Sequence, residues 1–116
     1  MPRNISFALT TEQFKDRTKT VTRRIGWTFL KPGAILMGCK KCMGLKPGEK
    51  IERLGLIRVV EVRRERLCDI RSDDVEREGF PEMDRSQFIK FFLDEMKPKQ
   101  GVLTPVTRIE FEYLEP

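Results

Sequence analysis

Within the run from Ile51 to Leu67, Ile57 and Val59 share one parity, while Val60 and Val62 share the other. A strand puts alternate side chains on opposite faces, so an apolar pattern that changes parity cannot lie on one flat sheet. The switch predicts a β-bulge or sharp bend at Val59-Val60, the device that barrels use at their corners. A long bent strand of this kind sets the architecture that the remaining segments must complete.

Those segments are short and clearly punctuated. Ile5, Phe7 and Leu9 alternate with Ser6 and Ala8, which predicts a strand with its odd positions inward. Thr10-x-x-Gln13 has capping-box spacing, so a short helix with Phe14 inward follows and stops near Arg17. Pro32-Gly33 and Pro47-Gly48 are turn signals on either side of a strand at Ile35-Leu36-Met37. Ser72-Asp73-Asp74 reads as a capped helix start, with Gly79 as its terminator. Asp84-x-x-Gln87 opens the next helix, whose apolar side is Phe88, Ile89, Phe91, Phe92 and Met96 and is read as core. Thr107–Tyr113 alternates cleanly, with Ile109, Phe111 and Tyr113 inward and Arg108, Glu110 and Glu112 outward. Five or six strands and three helices over residues 1–116 predict one α+β domain: a small, mostly antiparallel β-barrel with about three helices packed against it.

Charge is uneven. Residues 1–66 hold sixteen Lys/Arg against six Asp/Glu, and residues 67–116 hold seven against twelve. Such a polarised surface steers polyanions to its basic side. It also fits a chain whose two halves attract one another. No apolar stretch approaches the ~20 residues needed to cross a bilayer, so no membrane partner is expected. Three cysteines and the absence of an apolar leader point to a reducing, cytoplasmic setting.

With no histidine in the chain, the commonest general base is absent. The densest concentration of reactive groups is Lys19-Thr20-Val21-Thr22-Arg23-Arg24. A Thr hydroxyl beside a Lys amine is a workable nucleophile–base pair, provided the amine can lose its proton. Arg17, Arg23 and Arg24 would lower its pKa, as would burial, whereas a carboxylate would raise it. An acid in the same site is therefore expected to contact substrate or orient the amine rather than form a tight ion pair. A solvated basic turn is the alternative for the same six residues. Cys39-x-x-Cys42 has metal-ligand spacing, but a structural zinc takes four Cys/His ligands and only Cys68 remains. No metal and no cofactor is expected.

Several pieces, taken in order, resemble the ASCH family of the PUA-like superfold. They are Lys19-Thr20-x-Thr22-x-Arg24, Pro32-Gly33, Lys41–Glu49, Glu78-Gly79-Phe80 and the closing segment Val106–Phe111. The resemblance implies a PUA-like barrel with a cleft between barrel and helices. One branch of the family consists of small amidohydrolases that deacetylate N(4)-acetylcytidine. Their catalytic Lys, Thr and distant Glu fall on Lys19, Thr22 and Glu78, which implies hydrolysis of a linear amide. Thr20, Arg23, Arg24, Trp27 and Lys41 are the expected substrate contacts, the ligand a nucleoside or RNA, and the protein a monomer. The chain departs from the compact amidohydrolases in its Cys39–Leu45 insertion and in Arg23, where an apolar residue is usual. A non-catalytic RNA-binding module, or a ribonuclease using Lys and Arg, is the alternative function. In that reading Trp27 or Phe29 stacks on a base.

Overall fold

A computed structural model describes residues 2–42 and 45–114. Met43 and Gly44, inside the expected insertion, lie outside the described residues, as do Met1, Glu115 and Pro116. The strands are β1 (Arg3–Ser6), β2 (Val21–Arg24), β3 (Ile35–Cys39), β4 (Arg53–Arg66) and β5 (Pro105–Tyr113). The helices are α1 (Thr11–Lys15), α2 (Ser72–Arg77) and α3 (Arg85–Met96). The strands form one sheet in the order β1-β3-β4-β5-β2, with β1 parallel to β3 and the other pairings antiparallel. The sheet curls into a half-barrel, and the three helices pack against it.

The parity switch in β4 is a bulge. Val59 pairs with Phe111 and Glu61 with Glu110, so Val60 is the extra residue. Before the bulge, Ile57 and Val59 are buried inside the curl. After it, the strand turns away with Glu65 and Arg66 toward β5's beginning. One long strand thereby serves two cores. The first, inside the curl, gathers Ile5, Phe7, Phe14, Leu36, Ile57, Val59, Ile109 and Phe111. The second lies beneath α2 and α3 and contains Leu67, Ile70, Val75, Phe80, Phe88, Phe92 and Val106.

Closing strand β5 keeps the expected alternation, since Ile109 and Phe111 are buried in the first core. Its opposite face differs from the expectation. Val106 belongs to the second core and Arg108 is buried, because α2 covers the half of β5 that was read as facing solvent. Glu110 and Glu112, farther along, do reach solvent to different degrees.

Local capping separates the three helices. Asp84 accepts from the Gln87 amide at 2.8 Å and Gln87 Oε1 accepts from the Asp84 amide at 2.8 Å, which is the expected capping box. Thr10 precedes α1 but makes no side-chain cap; instead the Thr11 hydroxyl donates to the Phe7 carbonyl at 2.9 Å. Ser72 is the first residue of α2 rather than its cap, a position taken by Arg71. Leu9, expected inside β1, falls in the turn after it and is exposed.

Gly38 in β3 marks a close approach. A Cβ there would lie 2.5 Å from the Phe14 ring, which is itself locked in the first core against Phe7 and Tyr113. Overpacking of this kind costs about 1–3 kcal/mol. Gly38→Ala is therefore expected to destabilise the protein by roughly that amount, read as a lower urea midpoint with an unchanged slope.

Candidate functional site

Edge strands β1 and β2 are four residues each and do not pair with one another. The Arg24 guanidinium spans the gap by donating to the Ser6 carbonyl, and it also lies 5.0 Å over the Phe7 ring. Beside this gap, under α3, is a cavity of about 240 Å³. Its polar end consists of Lys19, Thr22, Arg23, Arg24 and Glu78, and its walls include Phe80, Phe88, Phe91 and Phe92.

Chain geometry explains why Lys19 and Glu78, 59 residues apart, meet. Gly79 follows the last turn of α2 at φ 103, a backbone region that favours glycine. A Cβ there would sit 2.9 Å from Gln13 and 3.4 Å from the Lys19 Cβ, so the absent side chain also lets the Lys19 segment pack close. Thr20 clips this segment in place by backbone alone. Its amide donates to the Arg77 carbonyl at 2.8 Å, and its carbonyl accepts from the Phe111 amide at 2.9 Å. Lys19 Nζ then donates to the Glu78 carbonyl at 2.8 Å and to Glu78 Oε1 at 2.9 Å. A carbonyl at a helix C-terminus has no intrahelical partner, and a cation suits that end of the dipole.

Glu78 is thus in a tight, buried ion pair with Lys19, contrary to the expectation that an acid here would avoid one. Desolvation by burial is the largest influence on the amine, and it outweighs the opposing Glu78 charge. Arg24 and Arg23 push in the same direction as burial, so the Lys19 pKa lies below its ordinary value. An ion pair and a lowered pKa coexist because the pair is dry and flanked by other cations.

The second Glu78 oxygen accepts from Arg23 NH1 at 3.0 Å. Arg23 also contacts Glu65 at 3.0 Å and Asp74 at 2.5 Å. Asp74 in turn accepts two hydrogen bonds from Arg108, at 2.7 and 2.9 Å, and one from Arg77 at 3.0 Å. Burial alone would raise the Asp74 pKa, but the hydrogen bonds from Arg108, Arg23 and Arg77 hold its carboxyl well below the usual carboxylate range. Arg23 is consequently enclosed in a lattice of carboxylates, with its guanidinium turned to the back of the site. The sequence showed no sign of this lattice, because its members come from β2, β4, α2 and β5.

Arg24 differs from these cations. Its Nε donates to Thr22 Oγ1 at 3.1 Å, and NH2 donates to the Ser6 carbonyl. Among the described residues it forms no ion pair with a carboxylate. Burial pushes its guanidinium down to about 10, so it stays protonated near neutral pH.

Of the residues singled out from the sequence, Lys19, Thr22, Arg23, Arg24 and Glu78 line the cavity together. Thr20 lies behind Lys19 and is not part of the lining. Trp27 is half-buried against the first core and stacks on the exposed Phe29, away from the cavity. Lys41 is exposed and also outside the lining. Phenylalanines of α3, read as plain core, double as cavity wall. The signal available for this was their excess: three phenylalanines, Phe88, Phe91 and Phe92, within five residues of one helix, with Phe80 just before it. Cys39 is buried, and burial is the first cause raising its thiol to about 11, well above the ordinary range. Among the described residues no three His, Cys, Asp or Glu side chains are grouped to hold a metal ion. No described helix is long and apolar enough to cross a membrane.

No protein-family model matches the sequence, and no curated protein matches it. Solved structures do. Protein EF3133 of Enterococcus faecalis V583, assigned to family DUF984, superposes with a TM-score of 0.69 at 17% identity, covering 98% of this chain and 80% of that one. An ASCH domain of Lactobacillus crispatus JV V101 superposes with a TM-score of 0.63 at 11% identity, covering 96% and 78%. The fold is ASCH-like. At these identities the likeness speaks to the ASCH-like fold, in agreement with the architecture expected from the sequence.

The lattice behind the site can be tested through stability. Removing one partner of a buried pair costs about 3–5 kcal/mol, since the other charge is left uncompensated. Asp74→Ala is expected to lose that much in denaturant unfolding. A carboxyl with a depressed folded pKa contributes stability above its unfolded pKa of ~3.9 and loses it as pH falls toward the folded value. Wild-type stability should therefore fall with acidification below about pH 5, and Asp74→Asn should flatten part of that slope.

Proposed function

We propose that the protein is an amidohydrolase acting on an N(4)-acylated cytidine-type substrate, with Thr22 as nucleophile and Lys19 as general base. The observation that carries this reading is the pair of hydrogen bonds from Lys19 Nζ to the Glu78 carbonyl and to Glu78 Oε1. A neutral amine has two N–H groups and one lone pair. Glu78 engages both donors, which leaves the lone pair to accept a proton. Glu78 thus acts by holding Lys19, with its own second oxygen held by Arg23. Arg24 Nε occupies an acceptor site of the Thr22 hydroxyl, leaving that hydroxyl's proton to be given away.

In the proposed reaction Thr22 Oγ attacks the acyl carbonyl while Lys19 takes the hydroxyl proton. Negative charge develops on the carbonyl oxygen and is stabilised by Arg24. The C–N bond breaks, and Lys19 returns the proton to the departing exocyclic nitrogen, which leaves as the amino group of cytidine. Water then attacks the Thr22 ester as Lys19 accepts its proton; the acyl C–O bond breaks, Lys19 passes that proton to the departing Thr22 oxygen, and a carboxylic acid departs. A burial-lowered Lys pKa suits a base that must be neutral to act.

The basic first half of the chain and one surface feature favour a second reading, RNA binding. Trp27 and Phe29 stack with ring centroids 5.5 Å apart, and Arg3 lies 4.6 Å from the Phe29 ring centre. An exposed aromatic pair capped by a cation is a platform on which a base can stack. If this surface binds RNA, affinity falls steeply with salt and Phe29→Ala weakens it. A flat salt response removes this reading without touching the first.

Purified protein incubated with N(4)-acetylcytidine is expected to release cytidine. Thr22→Ala should reduce kcat/KM at least about 1,000-fold, as loss of a nucleophile does. Lys19→Arg keeps a positive charge but cannot release its proton, and it is expected to abolish turnover. Because the amine must be neutral, kcat/KM should rise with pH through the lowered Lys19 pKa and then level off. A rate unaffected by Lys19→Arg would remove Lys19 from the role of base.

A further inference from the structure

Among the described residues, Arg24 is a cation of the cavity lining with no carboxylate at ion-pair distance. Lys19, Arg23 and Arg108 are matched by Glu78, Asp74 and Glu65, all at direct ion-pair distance. These six side chains are nearly or fully buried. Arg24 stands outside this set. Its acceptors are a hydroxyl and a backbone carbonyl, both neutral, and it borders the cavity. Arg24 is partly buried and feels the Glu78 charge, but its hydrogen-bond acceptors are neutral, so an anion reaching it from the cavity would gain a charge-assisted hydrogen bond.

The remaining surface of the cavity has the opposite character. Phe80, Phe88, Phe91 and Phe92 form the wall, and the edges of the phenylalanine cluster touch one another at centroid distances of 5.1 to 6.4 Å. Leu9 and Met96 also line it, and both are about half exposed, at 49% and 47%. They therefore mark an apolar mouth, between the turn after β1 and the end of α3. A ligand that satisfies the cavity needs one charged oxygen-bearing group for Arg24 and a rigid apolar body for the wall. An acetate group has the first and almost none of the second.

We infer that the cavity binds a monocarboxylate with an aromatic or bulky apolar body, its carboxylate on Arg24 and its body against Phe80, Phe88, Phe91 and Phe92. Joined to the amide-hydrolysis reading, on which this part rests, the ligand is the acid released by the enzyme. The acyl group removed is then benzoyl-like rather than acetyl, and the acid is a product inhibitor. Acid binding itself does not depend on that reading.

Calorimetric titration of the full chain with benzoate, acetate, benzyl alcohol and phenyl phosphate tests the assignment. Benzoate is expected to bind at least about tenfold more tightly than acetate, which lacks the body, and than benzyl alcohol, which lacks the charge. Arg24→Gln should weaken benzoate about tenfold, the usual loss for a charge-assisted hydrogen bond. Phe91→Ala removes a half-buried wall residue; it should weaken benzoate severalfold and leave acetate unchanged, and it serves if Arg24→Gln does not fold. Benzoate binding no tighter than acetate, or unchanged in Arg24→Gln or Phe91→Ala, overturns the inference. Tighter binding of phenyl phosphate than of benzoate overturns the carboxylate assignment in favour of a phosphate ester. N(4)-benzoylcytidine and N(4)-acetylcytidine then separate the two claims. Arg24-dependent benzoate binding without turnover of either compound upholds the acid site and removes the hydrolase reading. Turnover of the acetyl compound alone, with no benzoate binding, does the reverse.

Discussion

Glu78 is the hinge between two parts of the protein. Through its carbonyl and Oε1 it holds Lys19 in the cavity, and through Oε2 it holds Arg23 in the lattice behind. Ion pairs this dry are weak evidence for net stability, because desolvation offsets most of the attraction. What they do supply is position. Each charge has its place set by at least two partners, so no side chain can swing without uncovering another charge. The Lys19 amine is therefore held by a network that extends to Asp74 and Arg108.

Arg23 is the residue that ties the lattice together, since it reaches Glu78, Glu65 and Asp74. An apolar residue at this point of β2 would have left Asp74 and Glu65 with fewer cations. Here the complementary arginines of β2 and β5 and the acids of α2 and β4 form one set. Some of these pairs bear on the uneven charge of the two halves: Arg23–Asp74, Arg23–Glu78 and Lys19–Glu78 cross between them. Part of the attraction between basic first half and acidic second half is internal, spent in the interface between sheet and α2 rather than displayed to an external polyanion.

The half-barrel and the cavity have a common origin in the bulge at Val60. By re-aiming β4 after Val59, it lets the strand leave the first core and run beside the beginning of β5, where the helices build a second core. The cavity occupies the seam between the two cores. Edge strands too short to meet leave that seam open, and Arg24 crosses it with one hydrogen bond. A closed sheet would have filled the same space with ladder hydrogen bonds and left no room for a ligand.

Much of this was legible in the sequence, because local chemistry is short-ranged. Parity in β4 and β5 follows from the period of two, the Asp84–Gln87 box from side chains reaching three residues, and the end of α2 from the freedom of Gly79. The Lys19/Thr22 pair was visible for the same reason, and Glu78 became a candidate through resemblance rather than spacing. Tertiary structure alone decided the rest. Whether Arg108 meets solvent or Asp74 depends on which helix covers β5, and no periodicity encodes that. Whether Lys19 can be a base depends on burial winning over Glu78 in one dry pocket. Whether α3's phenylalanines fill a core or line a cavity depends on how near β1 and β2 approach. Each of these is a balance among residues far apart in sequence, and such balances exist only once the chain has closed around them.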